Sequence, residues 1–141
     1  MHLLATLLNL GNMAFRRIGL ILLGVLAGEL ALILGTTIAQ EVIFDGISFY
    51  SSDWIDISLG GLLTILAAVG AGYLAGLVGP KNSLGVGIIL TIIVLAETIY
   101  LQISGITEGP VWFDLLAGLG LVGGIWLGVA LSRRRNRSSQ E

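Results

Sequence analysis

Four stretches of almost unbroken apolar sequence, residues 18–39, 57–78, 84–101 and 111–131, constrain this chain more than anything else in it. Crossing a hydrocarbon core roughly 30 Å thick takes about 20 mostly apolar residues per helix, and each stretch meets or nearly meets that length. Composition agrees: 55% of the 141 residues are hydrophobic and 11% are charged, against roughly 25% charged in soluble domains. Backbone polar groups in lipid must pair within their own segment, and no alternating barrel pattern is present, so the spans are read as helices. The expected fold is an all-α membrane protein: four transmembrane helices in a bundle, forming a single domain over residues 1–141.

Charge orients the spans. The seven basic residues are Arg16, Arg17, Lys81, Arg133, Arg134, Arg135 and Arg137. With four crossings, the N-terminus, the 79–83 connection and the C-terminus share one side, and every basic residue falls there. The other side holds Glu41, Asp45, Asp53, Asp56 and Glu108. The positive-inside rule then predicts that both termini are cytoplasmic, in a bacterial inner membrane. Tyr50, Trp54, Tyr100, Trp112 and Phe113 cluster at the outer ends, as interfacial aromatics do. Pro110 suits the first turn of the fourth helix, and Asp114 complements its positive dipole end.

Several functions are excluded at this stage. There is no cysteine and the single histidine is His2, so thiolate chemistry, paired-imidazole haem and ordinary zinc sites lack ligands, and no cofactor or metal is expected. The 21 glycines sit inside apolar runs without a three-residue period, which is a transmembrane habit and not a collagen one. The tail "RRRNRSSQE" reads as a topology anchor with affinity for anionic lipid, and is too short a basic surface for nucleic acid. Residues 1–12 are apolar but too short to span. They read as an interfacial segment or an upstream extension before "MAFRRIG", and lack a signal-peptide cleavage site. The long outer connection 40–56, "QEVIFDGISFYSSDWID", mixes acids with Ile43, Phe44, Ile47, Phe49, Tyr50 and Trp54. It suits a segment lying in the outer headgroup region or a contact surface, with a turn at "DG".

Glycines four apart share a helix face. Gly24 and Gly28, Gly72 and Gly76, and Gly120, Gly124 and Gly128 form three such faces, where backbones can approach closely in lipid. The expected use is internal packing for the first two helices; for the fourth, internal packing and docking of another protein stand equal. "VLAGELALIL" and "IVLAETIYLQ", on the two outward-running helices, each carry an acid after a Leu-Ala pair. That pattern is compatible with a duplicated hairpin.

Glu29 stands at the middle of the first span, where an ionised carboxylate costs roughly 2.5–3.5 kcal/mol on insertion scales. No basic residue lies inside any span. Glu29 is therefore expected either to be protonated and hydrogen-bonded to a hydroxyl, with Thr64 and Thr91 at compatible depth and Tyr73 nearer the cytoplasmic side, or to meet a cation, water or partner residue. Glu97 lies nearer the outer end of its helix and is expected to snorkel to the interface, sharing hydrogen bonds with Tyr100 and Gln102.

"AGELALILGTT", residues 27–37, resembles the first helix of the small multidrug resistance transporters, which carry a membrane glutamate followed by Gly-Thr-Thr. That resemblance implies a coupling carboxylate at Glu29. It covers this stretch alone; the long 40–56 connection and the one-sided charge depart from that family. A broader resemblance spans residues 15–135. A double Arg before a Gly-rich helix, "AGYLAGLVG", "PVWF" and an Arg-rich end look like small four-helix bacterial membrane proteins of unknown function.

The sequence thus leads to a non-catalytic accessory or assembly subunit of a larger inner-membrane complex. Its expected partners are the lipid bilayer and other membrane subunits or itself as a homo-oligomer. The competing expectation is a small proton- or cation-coupled transporter using Glu29. No nucleophile–base pair, metal set or phosphate loop can be assembled, so an enzyme is not expected.

Overall fold

The computed structural model describes residues 2–80, 84–106 and 109–138. Lys81 and Glu108, two of the charges used above for orientation, lie outside the described residues. All regular structure among them is helical: α1 (His2–Thr37), which closes in a wide π-type turn over Ile38–Val42, α2 (Trp54–Val78), α3 (Gly85–Ile103) and α4 (Val111–Ser138). Each holds a segment long and apolar enough to cross a membrane: Met13–Val42, Trp54–Val78, Gly85–Ile103 and Val111–Arg135.

Three boundaries differ from the sequence reading in an instructive way. Residues 2–12 are not a separate segment but the first turns of α1, and the basic tail continues α4 to Ser138. Hydropathy marks where lipid ends, whereas a helix stops only where its backbone pattern is broken. Arg16 and Arg17 are good helix formers that let α1 run on through residues 2–12, and Arg133–Arg135 carry α4 out of the apolar zone. At the other end of α1 the helix reaches Val42 through the i→i+5 bond from Ile43 N–H to Ile38 O, 3.1 Å, so the outer connection is shorter than 40–56.

That connection turns at the Asp45-Gly46 pair, as expected. Both residues have positive φ (52° and 85°), and Gly46 N–H caps back onto Gln40 O at 3.0 Å. The segment then folds onto the helices. Ile47 and Phe44 fill the space over Gly60 of α2, and Phe49 packs edge-on to Trp112 and tilted against Phe113 at the start of α4, with ring centroids 5.7 and 5.1 Å away. Phe44, Ile47 and Phe49 are therefore partly covered by the chain itself, whereas Ile43, Tyr50 and Trp54 stay exposed.

Helix α1 packs along α2 and α3, α4 packs along the same two, and the α2–α4 contact is the most extensive. The buried core is built mainly of small and β-branched side chains, Ala68, Ala71, Ala75, Val86, Val94, Ile125 and Val129 among them, with Leu32 and Leu90. The larger apolar residues point outward: Leu26, Leu30 and Leu34 on α1, Leu62 and Leu66 on α2, and Ile92 and Ile99 on α3 are all exposed. A surface of that kind would aggregate in water and is what acyl chains cover.

The small core follows from how close the helices come. A Cβ at Gly72 would overlap the Ile125 backbone, and one at Gly128 would overlap Val69 O and stand 2.6 Å from Tyr73 N. At Gly124 the nearest atoms are Ala68 Cβ and Ile65 O, both 2.9 Å. Here α2 and α4 touch backbone to backbone. A Cβ at Gly24 would lie 2.9 Å from Ala75 O, and one at Gly28 2.8 Å from Ala75 Cβ. Gly76 faces Ser132, and Gly120 meets Ile65 at an ordinary 3.4 Å. All seven glycines of the three four-spaced faces thus look at a neighbouring helix of the same chain, those of α4 included.

Candidate functional site

The acid in the first span does not meet the hydroxyls that depth alone made eligible. Thr64 is buried and its Oγ1 accepts a hydrogen bond from Gln40 Nε2 at 3.3 Å. Thr91 Oγ1 donates to Gly87 O (2.8 Å) and accepts from Trp126 Nε1 (3.0 Å). Tyr73 Oη takes the Nη1–H of Arg135 at 2.8 Å. Each partner reflects a helix pairing that the sequence alone does not give.

Glu29 instead faces Glu97. The two carboxyl groups come from α1 and α3 and border the same space. They line one cavity of about 130 Å³ with Leu32, Ile33, Thr36, Val94, Thr98, Leu101 and Leu121. Glu97 is exposed, and Gln102, expected to share its hydrogen bonds, donates its side-chain amide to Asp114 of α4. Both helices run the same way along the bundle, so acids at matching depth can meet where the helices touch.

The cavity is chemically one-sided. Thr36 Oγ1 spends its proton on its own helix, donating to Leu32 O at 2.9 Å or Ile33 O at 3.2 Å. Thr98 Oγ1 does the same to Val94 O at 2.8 Å. Both Glu29 oxygens are buried and receive no hydrogen bond. Four oxygen-bearing side chains thus converge on one space without a free donor among them. The cavity lining holds two carboxyl groups and no basic side chain, so a proton shared by the pair or a cation would complete it.

Burial across the pair is graded. Glu29 is partly covered, whereas Glu97 is exposed on the outer surface of the helices. The seam is thus reachable from the side that lipid or another helix would occupy. On the far side, the backbone contact of α2 with α4 closes the interior. Among the described residues no group of three or more His, Cys, Asp or Glu side chains is placed to hold a metal ion.

Thr36 and Thr98 are the site residues that sequence reasoning missed. The two stretches that carry an acid after a Leu-Ala pair lie on helices running in the same direction, but the sequence offers them only as a duplicated hairpin and not as a contact. No protein-family model, no curated protein and no solved structure matches this chain.

Proposed function

We propose that this chain is a non-catalytic accessory subunit of a bacterial inner-membrane complex, with both termini cytoplasmic, and that it docks through the α1–α3 seam onto a transmembrane helix carrying a Lys or Arg. The observation that carries this reading is the acceptor-only cavity around Glu29 and Glu97, open at the lipid-facing edge of the molecule. A carboxylate pair inside a membrane calls for a positive counter-charge, and no span of this chain contains a basic residue except at its ends. A counter-charge other than a shared proton therefore comes from outside, and the open edge admits a side chain from a neighbouring helix.

The glycine faces play a different part in this account. They hold the chain's own helices together, since a Cβ at most of them would strike a neighbouring helix. Docking is left to the seam and to the exposed leucine and isoleucine surface around it. N-in/C-in orientation rests on the charge bias: every arginine lies at the ends of α1 and α4 that share a side, and Asp45, Asp53 and Asp56 lie opposite.

A second reading is favoured by the same oxygen cluster: a small proton- or cation-coupled transporter with Glu29 as the coupling carboxylate. Transport needs access from both aqueous sides in turn, and the tight α2–α4 contact offers no such route within one chain, so this version requires an oligomer. The two readings separate in liposomes. The subunit reading expects purified chain to move no proton or alkali cation. Glu29-dependent flux by the chain alone would replace it with the transporter.

A further inference from the structure

A second unsatisfied charge lies at the basic end of α4, far from the acidic seam. Of the arginines there, Arg135 is tied to α2 through Tyr73 Oη. Arg133 is not tied in this way. Its Nε and Nη2 are buried and have no acceptor among the described residues. A buried guanidinium donor without an acceptor is costly, so the group is set for an anion.

Beside it lies a cavity of about 200 Å³, lined by Trp126, Val129, Ala130, Arg133 and Arg134. Among the described residues no acidic side chain borders it. These residues recur at the three- and four-residue spacing that builds one stripe of α4. The stripe is apolar at its deep end and doubly basic at its mouth. Trp126 is fixed in place: its indole N–H bonds Thr91 Oγ1, and its ring lies over Gly87, where an added Cβ would come within 3.6 Å. The cavity wall is therefore held by α3 and is not a loose side chain. From Arg133 to Trp126 the stripe descends about 10 Å along the helix, roughly the depth from a phosphate layer into the first acyl carbons.

We propose that this cavity binds one anionic phospholipid, with its phosphate on the Arg133 and Arg134 guanidinium groups and the start of an acyl chain along Trp126, Val129 and Ala130. Arg suits phosphate because its planar fork donates two parallel hydrogen bonds. A free phosphate ion would satisfy Arg133 equally well and would leave the apolar wall unused, which is why the lipid is the assigned source. This site depends on α4 spanning the membrane and not on what docks at the acidic seam.

The test uses the full chain in nanodiscs of mixed phosphatidylglycerol and phosphatidylcholine, with retained lipid read by native mass spectrometry. Wild type should retain phosphatidylglycerol in preference to phosphatidylcholine. Arg133→Gln should weaken retention at least about tenfold, the loss expected for hydrogen bonds to a charged group. Ala130→Leu, which fills the cavity and leaves every charge in place, should weaken it too, with helix content unchanged by circular dichroism. If Arg133→Gln does not fold, Arg133→Lys and Ala130→Leu carry the same comparison. Equal retention by Arg133→Gln, or by Ala130→Leu, would overturn the proposal, as would equal retention of the two lipids. Displacement of phosphatidylglycerol by excess inorganic phosphate would overturn the lipid assignment in favour of the free anion.

Discussion

The α2–α4 contact and the α1–α3 seam lie at similar depth in the same molecule and are built on opposite principles. Between α2 and α4, glycines at 72, 124 and 128 let two backbones touch, the side chains are apolar, and Ser132 Oγ is satisfied by Val129 O at 2.8 Å. Between α1 and α3 the helices stand far enough apart to leave a cavity, and its oxygens lack donors. In lipid there is little hydrophobic drive between helices, so close packing has to supply the association. A seam that forgoes packing and adds two acids contributes little to holding the fold. Its polarity is the basis of the docking proposed above.

That contrast can be broken from either side. The largest effect is expected from Gly128→Leu, which drives a side chain into Val69 and Tyr73 backbone. It should cost more than about 4 kcal/mol and leave no folded protein in detergent, as read by size exclusion and circular dichroism. Glu29→Gln should do the reverse. The isolated chain should keep its melting temperature, because one unsatisfied acid is removed, while partner affinity falls by about 2–5 kcal/mol, the usual cost of truncating half of a buried charge pair. Glu97→Gln should act in the same direction more weakly, since Glu97 is the exposed member of the pair.

Smaller changes sharpen the comparison. Trp126→Phe removes the indole bond to Thr91 Oγ1 and should lower stability by about 1 kcal/mol, measured by thermal melting in detergent. Gly123→Ala lies on α4 between the packed glycines but faces open space, with no atom within 4 Å of an added Cβ. It should change stability by less than about 1 kcal/mol in either direction. A large loss at Gly123 would show that the outer face of α4 is occupied by another subunit, and that packing and docking are not separated as described.

The spans were legible because hydropathy and length act locally: any stretch that is apolar for long enough declares itself. The glycine faces were legible for the same reason, since spacing of four fixes a shared side, although not which helix that side meets. The pairing of Glu29 with Glu97 was not legible in the same way. It depends on α1 lying beside α3 while α2 lies beside α4, and helix order is decided by many weak contacts spread over the whole chain. Depth alone made Thr64 and Thr91 candidates, yet Gln40 and Trp126 take them because α1 meets α2 and α4 meets α3 at those points. Arg133 was legible as a topology charge and not as a buried one, because burial at the end of α4 comes from its neighbours in space.

The central claim is that the acidic seam holds a cation supplied by a partner helix. The most direct test is carbodiimide cross-linking in native membranes, with tagged wild type and the Glu29→Gln/Glu97→Gln double variant compared and the linked residues mapped by mass spectrometry. The account predicts a zero-length link from Glu29 or Glu97 to a lysine within a transmembrane segment of a larger protein, or, where the partner residue is an arginine, stoichiometric co-purification that the double variant abolishes. Wild type recovered alone, or the same partner retained by the double variant, would contradict it.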